Sequence, residues 1–305
     1  MSSLVLSWHT IHRMIVAEQR PAFCAIWSFR LALFSGALAI AGIALHRFLS
    51  ISTPILLNTL KVAFAGGAIA LLMAIIAIVQ IWFTGKLGAA SAFGGLLTSL
   101  ALFAWPAAYI PTANSLPPIN DVTTDLQAPP PMTALALLRG PGTNPVEYPG
   151  ETFAEMQAVA YPDLQPFLLK RSASEAFEIV ADVVRRLKYQ VVAETPPGED
   201  FDQPGYIEAV DRTLIMGFYD DVVIRVMGDS ENAQIDVRSA SRYGRHDLGR
   251  NAARIRTFFQ ELRTALMSTV PAEANPRNVR NKRQSTKGSP KQQRGGDRER
   301  AGRRN

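Results

Sequence analysis

Three different patterns of apolar and polar positions follow one another along the chain. From residue 22 to 110 the sequence is almost continuously apolar. A helix needs about 20 such residues to cross a hydrocarbon core of roughly 30 Å. Val62–Trp82 meets that length with no charge between Lys61 and Lys86, and Leu87–Ile110 meets it again. Thr84-Gly85-Lys86 makes a polar turn between them, which predicts an antiparallel helical hairpin. The first run, Leu31–Leu45, is bracketed by Arg30 and His46-Arg47 and spans about 22 Å as a helix. Snorkelling arginines lengthen it to a working span. Three spans are therefore expected within residues 29–110, after a segment 1–28.

Residues 111–166 read as a connector rich in prolines, including Pro117-Pro118, Pro129-Pro130-Pro131, Pro141, Pro145 and Pro149. Such a stretch should be extended and semi-rigid, with short helices at Met132–Arg139 and Glu151–Tyr161. Beyond it, residues 167–268 alternate like a soluble domain. Ser172-Ala173-Ser174-Glu175 is a capping-box pattern, and Phe177, Val180, Val184 and Leu187 line one helical face. Strands are expected at Tyr189–Glu194, Tyr206–Arg212, Thr213–Tyr219, Val222–Met227 and Gln234–Ala240, with turns at Pro196-Pro197-Gly198 and Gly228-Asp229-Ser230. Leu248–Met267 closes the domain as an amphipathic helix with Asp247 as its N-cap. Pairing Ile224 with Val237 places Val222, Val226 and Ile235 on one buried face and Arg225 opposite Asp236 on the other. The expected architecture is an α-helical transmembrane region of three spans plus a soluble α+β domain, an antiparallel sheet of four to five strands with two helices on one face.

Charge refines this picture in two ways. The formal net charge of +6 comes from residues 277–305, where eleven Lys/Arg face only Asp297 and Glu299, so the rest of the chain is mildly acidic. Residues 269–305, almost without large apolar side chains at their basic end, are expected to be disordered. Around the spans, Arg13, Arg20, Arg30 and Lys86 fall on one side, Arg47 and Lys61 on the other. By the positive-inside rule the N-terminus is cytoplasmic, which puts the domain in the periplasm of a Gram-negative cell. The expected location is the bacterial inner membrane. Within the spans, Ser91, Gly95 and Ser99 recur every four residues; packing against Gly66 and Gly67 of span two, or a contact with a partner membrane protein, would use that stripe.

Candidate chemistry is sparse. Cys24 is the single cysteine, which excludes an internal disulfide and a cysteine-cluster metal site, and His246 is the single histidine after the spans. No catalytic set, metal site or cofactor motif emerges. The richest group is Arg238, Ser239, Ser241, Arg242, Arg245, Asp247 and Asn251, where a strand hands over to the last helix. Guanidinium groups, hydroxyls and a helix N-terminus suit an anionic envelope component. Equally, Asp220, Asp221 and Asp236 are at hand as ion-pair partners, together with the Arg225–Asp236 pair. Asp220-Asp221 with Asp121 and Asp125 could gather round a divalent ion, although such aspartates more often serve turns and arginines. A Ser239 or Ser241 nucleophile with His246 as base would make an envelope ester or phosphate hydrolase. The lipid bilayer is the expected partner; nucleic acid is a poor candidate because no recognition fold accompanies the basic tail.

One stretch is distinctive: Asp220-Asp221-Val222-Val223-Ile224-Arg225-Val226, then Asp236-Val237-Arg238-Ser239-Ala240-Ser241-Arg242 and Gly244-Arg245-His246-Asp247-Leu248-Gly249. It closely resembles the bacterial family named domain of unknown function 1499. Ile207-Glu208-Ala209, Asn251, Arg254-Ile255-Arg256, residues 118–125 and Tyr161-Pro162-Asp163-Leu164 are similar to that family as well, with Asn120 standing where its pattern has a histidine. The resemblance, over about Pro117–Leu266, implies a membrane-anchored domain and no established reaction.

Overall fold

The computed structural model describes residues 20–198 and 203–268. Most of the expected N-terminal segment and the expected disordered tail lie outside the described residues. Three long helices open the described chain: α1 (Phe23–Leu49), α2 (Thr53–Thr84) and α3 (Ala89–Ala107), the last continued by the short α4 (Ile110–Ser115). By length and composition all three runs can cross a membrane: Phe23–Leu49, Thr53–Thr84 and Ala89–Ser115. Both tight turns use left-handed residues, Ser50 (φ 53°) after α1 and Gly85 (φ 66°) after α2.

The three helices pack through small side chains. Ala92, Gly95 and Ser99 form the buried stripe of α3. Its partner is span one: a Cβ at Gly95 would stand 2.5 Å from the Ser28 hydroxyl and 2.9 Å from the Phe29 backbone. The expected docking on Gly66 and Gly67 is therefore corrected. Gly66 receives Ser35 of α1, and Gly67 receives Leu102 and Phe103 of α3. Close backbone approach needs small residues on every contact line of a three-helix bundle, so no single pairing follows from the sequence.

The domain is a six-stranded antiparallel sheet: β1 (Asp121–Thr123), β2 (Phe167–Leu169), β3 (Gln190–Thr195), β4 (Gly205–Arg212), β5 (Tyr219–Gly228) and β6 (Ala233–Ser241). Its order is β1-β6-β5-β4-β3, and β2 pairs with the same edge of β6 beyond the end of β1. Ile224 faces Val237, Arg225 faces Asp236 and Val226 faces Ile235, the register read from alternation. The stretch expected as a strand at Thr213–Tyr219 is instead the turn between β4 and β5. Gly217 (φ 72°) closes it, with its amide donating to Thr213 O. Two strands were not expected. β1 and β2 are three residues each, too short to show alternation, and are held by β6 rather than by local sequence.

Helices α5 (Glu151–Ala160), α6 (Ala173–Arg186) and α7 (Arg250–Ser268) complete the fold, and the other connector helix is a single 3-10 turn at Leu135–Leu138. Ser172 caps α6 by accepting the Glu175 amide at 3.2 Å. Asp247 caps α7 through the amides of Gly249 and Asn251 (2.8 and 2.9 Å). Helix α7 starts two residues later than its apolar stripe suggested, because Leu248 and Gly249 both take positive φ. Phe177, Val180 and Val184 of α6 and Ile255, Phe258 and Leu262 of α7 are buried with Ile207, Val222, Ile224, Val226, Ile235 and Val237 in one apolar core. Two helices on one sheet face is the expected two-layer arrangement.

Candidate functional site

The other sheet face is charged, yet it is buried. Strand alternation sends Asp221, Val223 and Arg225 of β5, and Asp236, Arg238 and Ala240 of β6, to that side. There the connector, rather than water, covers them. Arg238 holds Asp121 with two bonds, Nε to Oδ1 (3.0 Å) and Nη2 to Oδ2 (2.7 Å), and donates to Pro130 O (3.1 Å) and Val146 O (2.7 Å). Arg225 donates to Asp236 (2.8 Å), Asp125 (2.8 Å) and Ala128 O (3.0 Å). Asp221, wholly buried, receives Arg242 (2.7 Å) and Arg139 (2.8 Å), and Arg139 also reaches Asn144 O and Pro145 O. Glu208 accepts the amides of Thr133, Ala134 and Leu135 at 2.8–3.0 Å and so caps the 3-10 turn.

The chemistry explains why arginine is used here. A proline-rich strap makes few backbone hydrogen bonds of its own, because proline lacks an N–H. Its carbonyls still need donors when buried. A guanidinium group carries five N–H donors in a fixed fork and can serve a carboxylate and two carbonyls together, which lysine cannot. Burial pushes the Asp121 carboxyl above its ordinary range despite the Arg238 pair. Burial also works to raise Asp125, but the amides of Ala128 and Gln127 and the Arg225 guanidinium outweigh it and hold that carboxyl below its ordinary range. Tyr148, whose ring lies 5.7 Å from the Arg238 guanidinium carbon, has its phenol pushed up to about 12 by burial and by the Asp121 charge.

The same alternation divides the candidate set. Ser239 and Ser241 point to the helix face, where Asn251 Oδ1 accepts from Ser239 Oγ (2.8 Å) and Asn251 Nδ2 donates to Ser241 Oγ (3.1 Å). Arg254 completes this group with Asp220 (2.6 Å), Asp211 (2.8 Å) and Ser239 (3.0 Å). Arg238 and Arg242 lie on the opposite face. Arg245 is exposed in the loop before α7 and makes no hydrogen bond or ion pair among the described residues. Asp247 caps α7. Asp220 and Asp221 point to opposite faces, so they cannot join Asp121 and Asp125 round one ion, and no metal-holding group of three His, Cys, Asp or Glu occurs among the described residues. His246 is engaged with Ala113 O (3.2 Å) and the Leu248 amide (3.0 Å) rather than with either serine. Asn120 donates to Gly244 O (2.7 Å) and accepts the Ser241 amide through its own carbonyl.

Every carboxylate and arginine of these two networks falls between Asp121 and Arg254. The model of the family described as Protein of unknown function (DUF1499) matches residues 121–262. These residues match DUF1499. The DUF1499 match begins at β1, so the family unit takes in the strap that covers the charged face. Sequence reasoning missed Glu208, Arg139 and Gln157 as fasteners of the DUF1499 domain. Gln157, fully buried on α5, brackets Thr123 with both ends of its amide. A glutamine between Met156 and Ala158-Val159 in an expected helix is the local signal the sequence offers. A comparison with curated proteins finds no match. Among solved structures, the vertebrate conserved region (VCR) of human METTL16 is similar over 32% of this chain and 95% of that chain, at 12% identity and a TM-score of 0.23. A likeness at that TM-score carries no weight for the DUF1499 fold or its function.

The DUF1499 domain rests on the spans at two places. His46, fully buried at the end of α1, lies 2.8 Å from Met216 O through Nδ1 and 3.0 Å from Thr53 Oγ1 through Nε2. A carbonyl only accepts, so Nδ1 carries the proton. Arg212 returns the contact by donating to His46 O (2.5 Å). The second place is His246 against Ala113 of α4. Both contacts use the same end of the sheet, where β4 ends, β5 begins and β6 gives way to α7.

Proposed function

We propose that this chain is an inner-membrane protein whose DUF1499 domain stands on the extracytoplasmic side and acts as a binding module for an anionic envelope component. The observation that carries the reading is the double docking, His46 with Met216 and His246 with Ala113, which favours one sheet end held at the membrane surface. At that end the exposed Arg245 and Arg250 remain available to a phosphate or carboxylate, whereas Arg238 and Arg242 are engaged internally. In this reading the working unit begins with the strap at β1, and the spans serve as anchor. The Lys/Arg asymmetry around the spans supports a cytoplasmic N-terminus, and three crossings then carry the domain outside.

Two measurements test it. A reporter active only outside the cytoplasm, fused after Leu266, should be active; an inactive reporter overturns the localisation. Thermal unfolding of the full-length protein in detergent should shift upward with added phosphatidylglycerol and not with phosphatidylcholine, and Arg245→Ala should reduce that difference. Equal response to both lipids removes the anionic ligand.

A further inference from the structure

The turn between β4 and β5 has an inverted composition. Turns that face water are dominated by Gly, Pro, Asn, Asp and Ser. Here the sequence is Thr213-Leu214-Ile215-Met216-Gly217-Phe218, with four large apolar residues. The polar members face inward. Thr213 is buried, its hydroxyl accepts the Phe218 amide at 2.8 Å, and its own amide donates to Phe218 O at 2.8 Å. Gly217 is buried against Arg47, where a Cβ would stand 3.2–3.3 Å from that side chain and backbone. Met216 and Phe218 pack onto the cluster of Ala39, Leu56, Leu60 and Ala63 on α1 and α2. The turn is therefore stapled to the spans, and its two remaining apolar side chains point outward: Leu214 is 80% exposed and Ile215 59%.

We propose that Leu214 and Ile215 are immersed in the headgroup–acyl boundary of the bilayer that the chain itself spans. Three observations select lipid over a protein partner. The tip lies against the end of α1, a helix long and apolar enough to cross a membrane, where Phe48 and Leu49 are likewise exposed at 80% and 70%. Arg47, beside the tip, makes no hydrogen bond or ion pair among the described residues, and a partly buried guanidinium at the end of a span suits lipid phosphate. The staple of Thr213 and Gly217 fixes the turn without any contribution from Leu214 or Ile215, so their apolar character serves something outside the fold. Apolar side chains entering the boundary region from one face of a fixed element are a recognised mode of membrane contact. The turn thus acts as a keel that sets the tilt of the sheet above the membrane.

The inference rests on the membrane anchoring proposed above but not on which side the domain occupies. The test uses the full chain with Cys24→Ser, carrying either Leu214→Cys or Ile215→Cys labelled with an environment-sensitive fluorophore, in liposomes. Both labelled sites should emit as in an apolar medium and lose most of their fluorescence when the lipids carry spin labels near the headgroup. Asp182→Cys, on the exposed side of α6, should emit as in water and be quenched by iodide. Water-like emission at 214 and 215 overturns the proposal. So does apolar emission that the spin-labelled lipid does not quench, since that places the pair under protein. A reporter after Leu266 that reads cytoplasmic sinks the localisation and leaves these outcomes unchanged.

Discussion

The two faces of the sheet are built from the same strands by opposite means. On the helix side, Val222, Ile224, Val226, Ile235 and Val237 meet α6 and α7 in an apolar layer, and directional bonds are confined to the Ser239–Asn251–Arg254 group beside it. On the strap side, Arg225, Arg238, Asp221 and Glu208 bind a polypeptide with few backbone donors of its own. A helix satisfies its backbone internally and can be held by apolar contact alone. A proline-rich strap cannot, and its carbonyls must be met by side chains. The charged layer is better understood as the strap's missing hydrogen-bond partner than as a ligand site.

That comparison is broken most readily by truncation. Arg238→Ala strands the buried Asp121 carboxylate and should cost about 3–5 kcal/mol. Ile224→Ala on the other face should cost about 2–5 kcal/mol by leaving a cavity. Urea unfolding of the full-length protein in detergent, followed by near-UV circular dichroism, reads both. A loss below about 1 kcal/mol for Arg238→Ala would make the charged layer dispensable.

A double change separates ion pair from strap clamp. Replacing a buried ion pair by apolar residues of similar volume is often neutral. Arg238→Met with Asp121→Leu also strips the donors from Pro130 O and Val146 O, so the double variant should remain about 1–3 kcal/mol less stable. Recovery to wild-type stability would mean that the carbonyl contacts contribute nothing.

How much of this was legible follows from the range of each signal. Period-two alternation fixed the apolar face, the Ile224–Val237 register and the Arg225–Asp236 pair, all within a few residues of a tight turn. The same alternation normally marks a polar face as solvated, so nothing local said that Arg238 is 2% exposed. Its partner Asp121 is 117 positions away. The grouping of Arg238 with Ser239 failed for the reason that made the register readable, because neighbours on a strand point to opposite faces. Thr213–Tyr219 reads as a strand because its apolar residues, which face the spans and outward, resemble a short buried strand.

Acidity sharpens the comparison further. The Asp125 carboxyl is held below its ordinary range in the fold. Its contribution is therefore present above the unfolded carboxylate range and lost as pH falls through the depressed folded value. Asp125→Asn should lower stability at neutral pH, and the gap to wild type should close as both are acidified. Asp121 runs the other way, its raised carboxyl giving stability that declines as pH rises from the unfolded to the folded value. A gap for Asp125→Asn that is constant with pH would deny the Arg225 clamp its ionic part. The smallest effect belongs to Arg245→Ala, which touches neither layer and should change stability by no more than about 0.5 kcal/mol.

Amide hydrogen exchange across residues 124–148, in the wild-type full-length protein and in Arg238→Lys, tests the clamp most directly. Lysine keeps the charge opposite Asp121 but lacks the planar fork that reaches Pro130 O and Val146 O as well. Slow exchange of the Thr133–Leu135 amides in the wild type, and clearly faster exchange there in the variant, is the expected result. Indistinguishable exchange in the two proteins would show that charge alone holds the strap and would contradict the account.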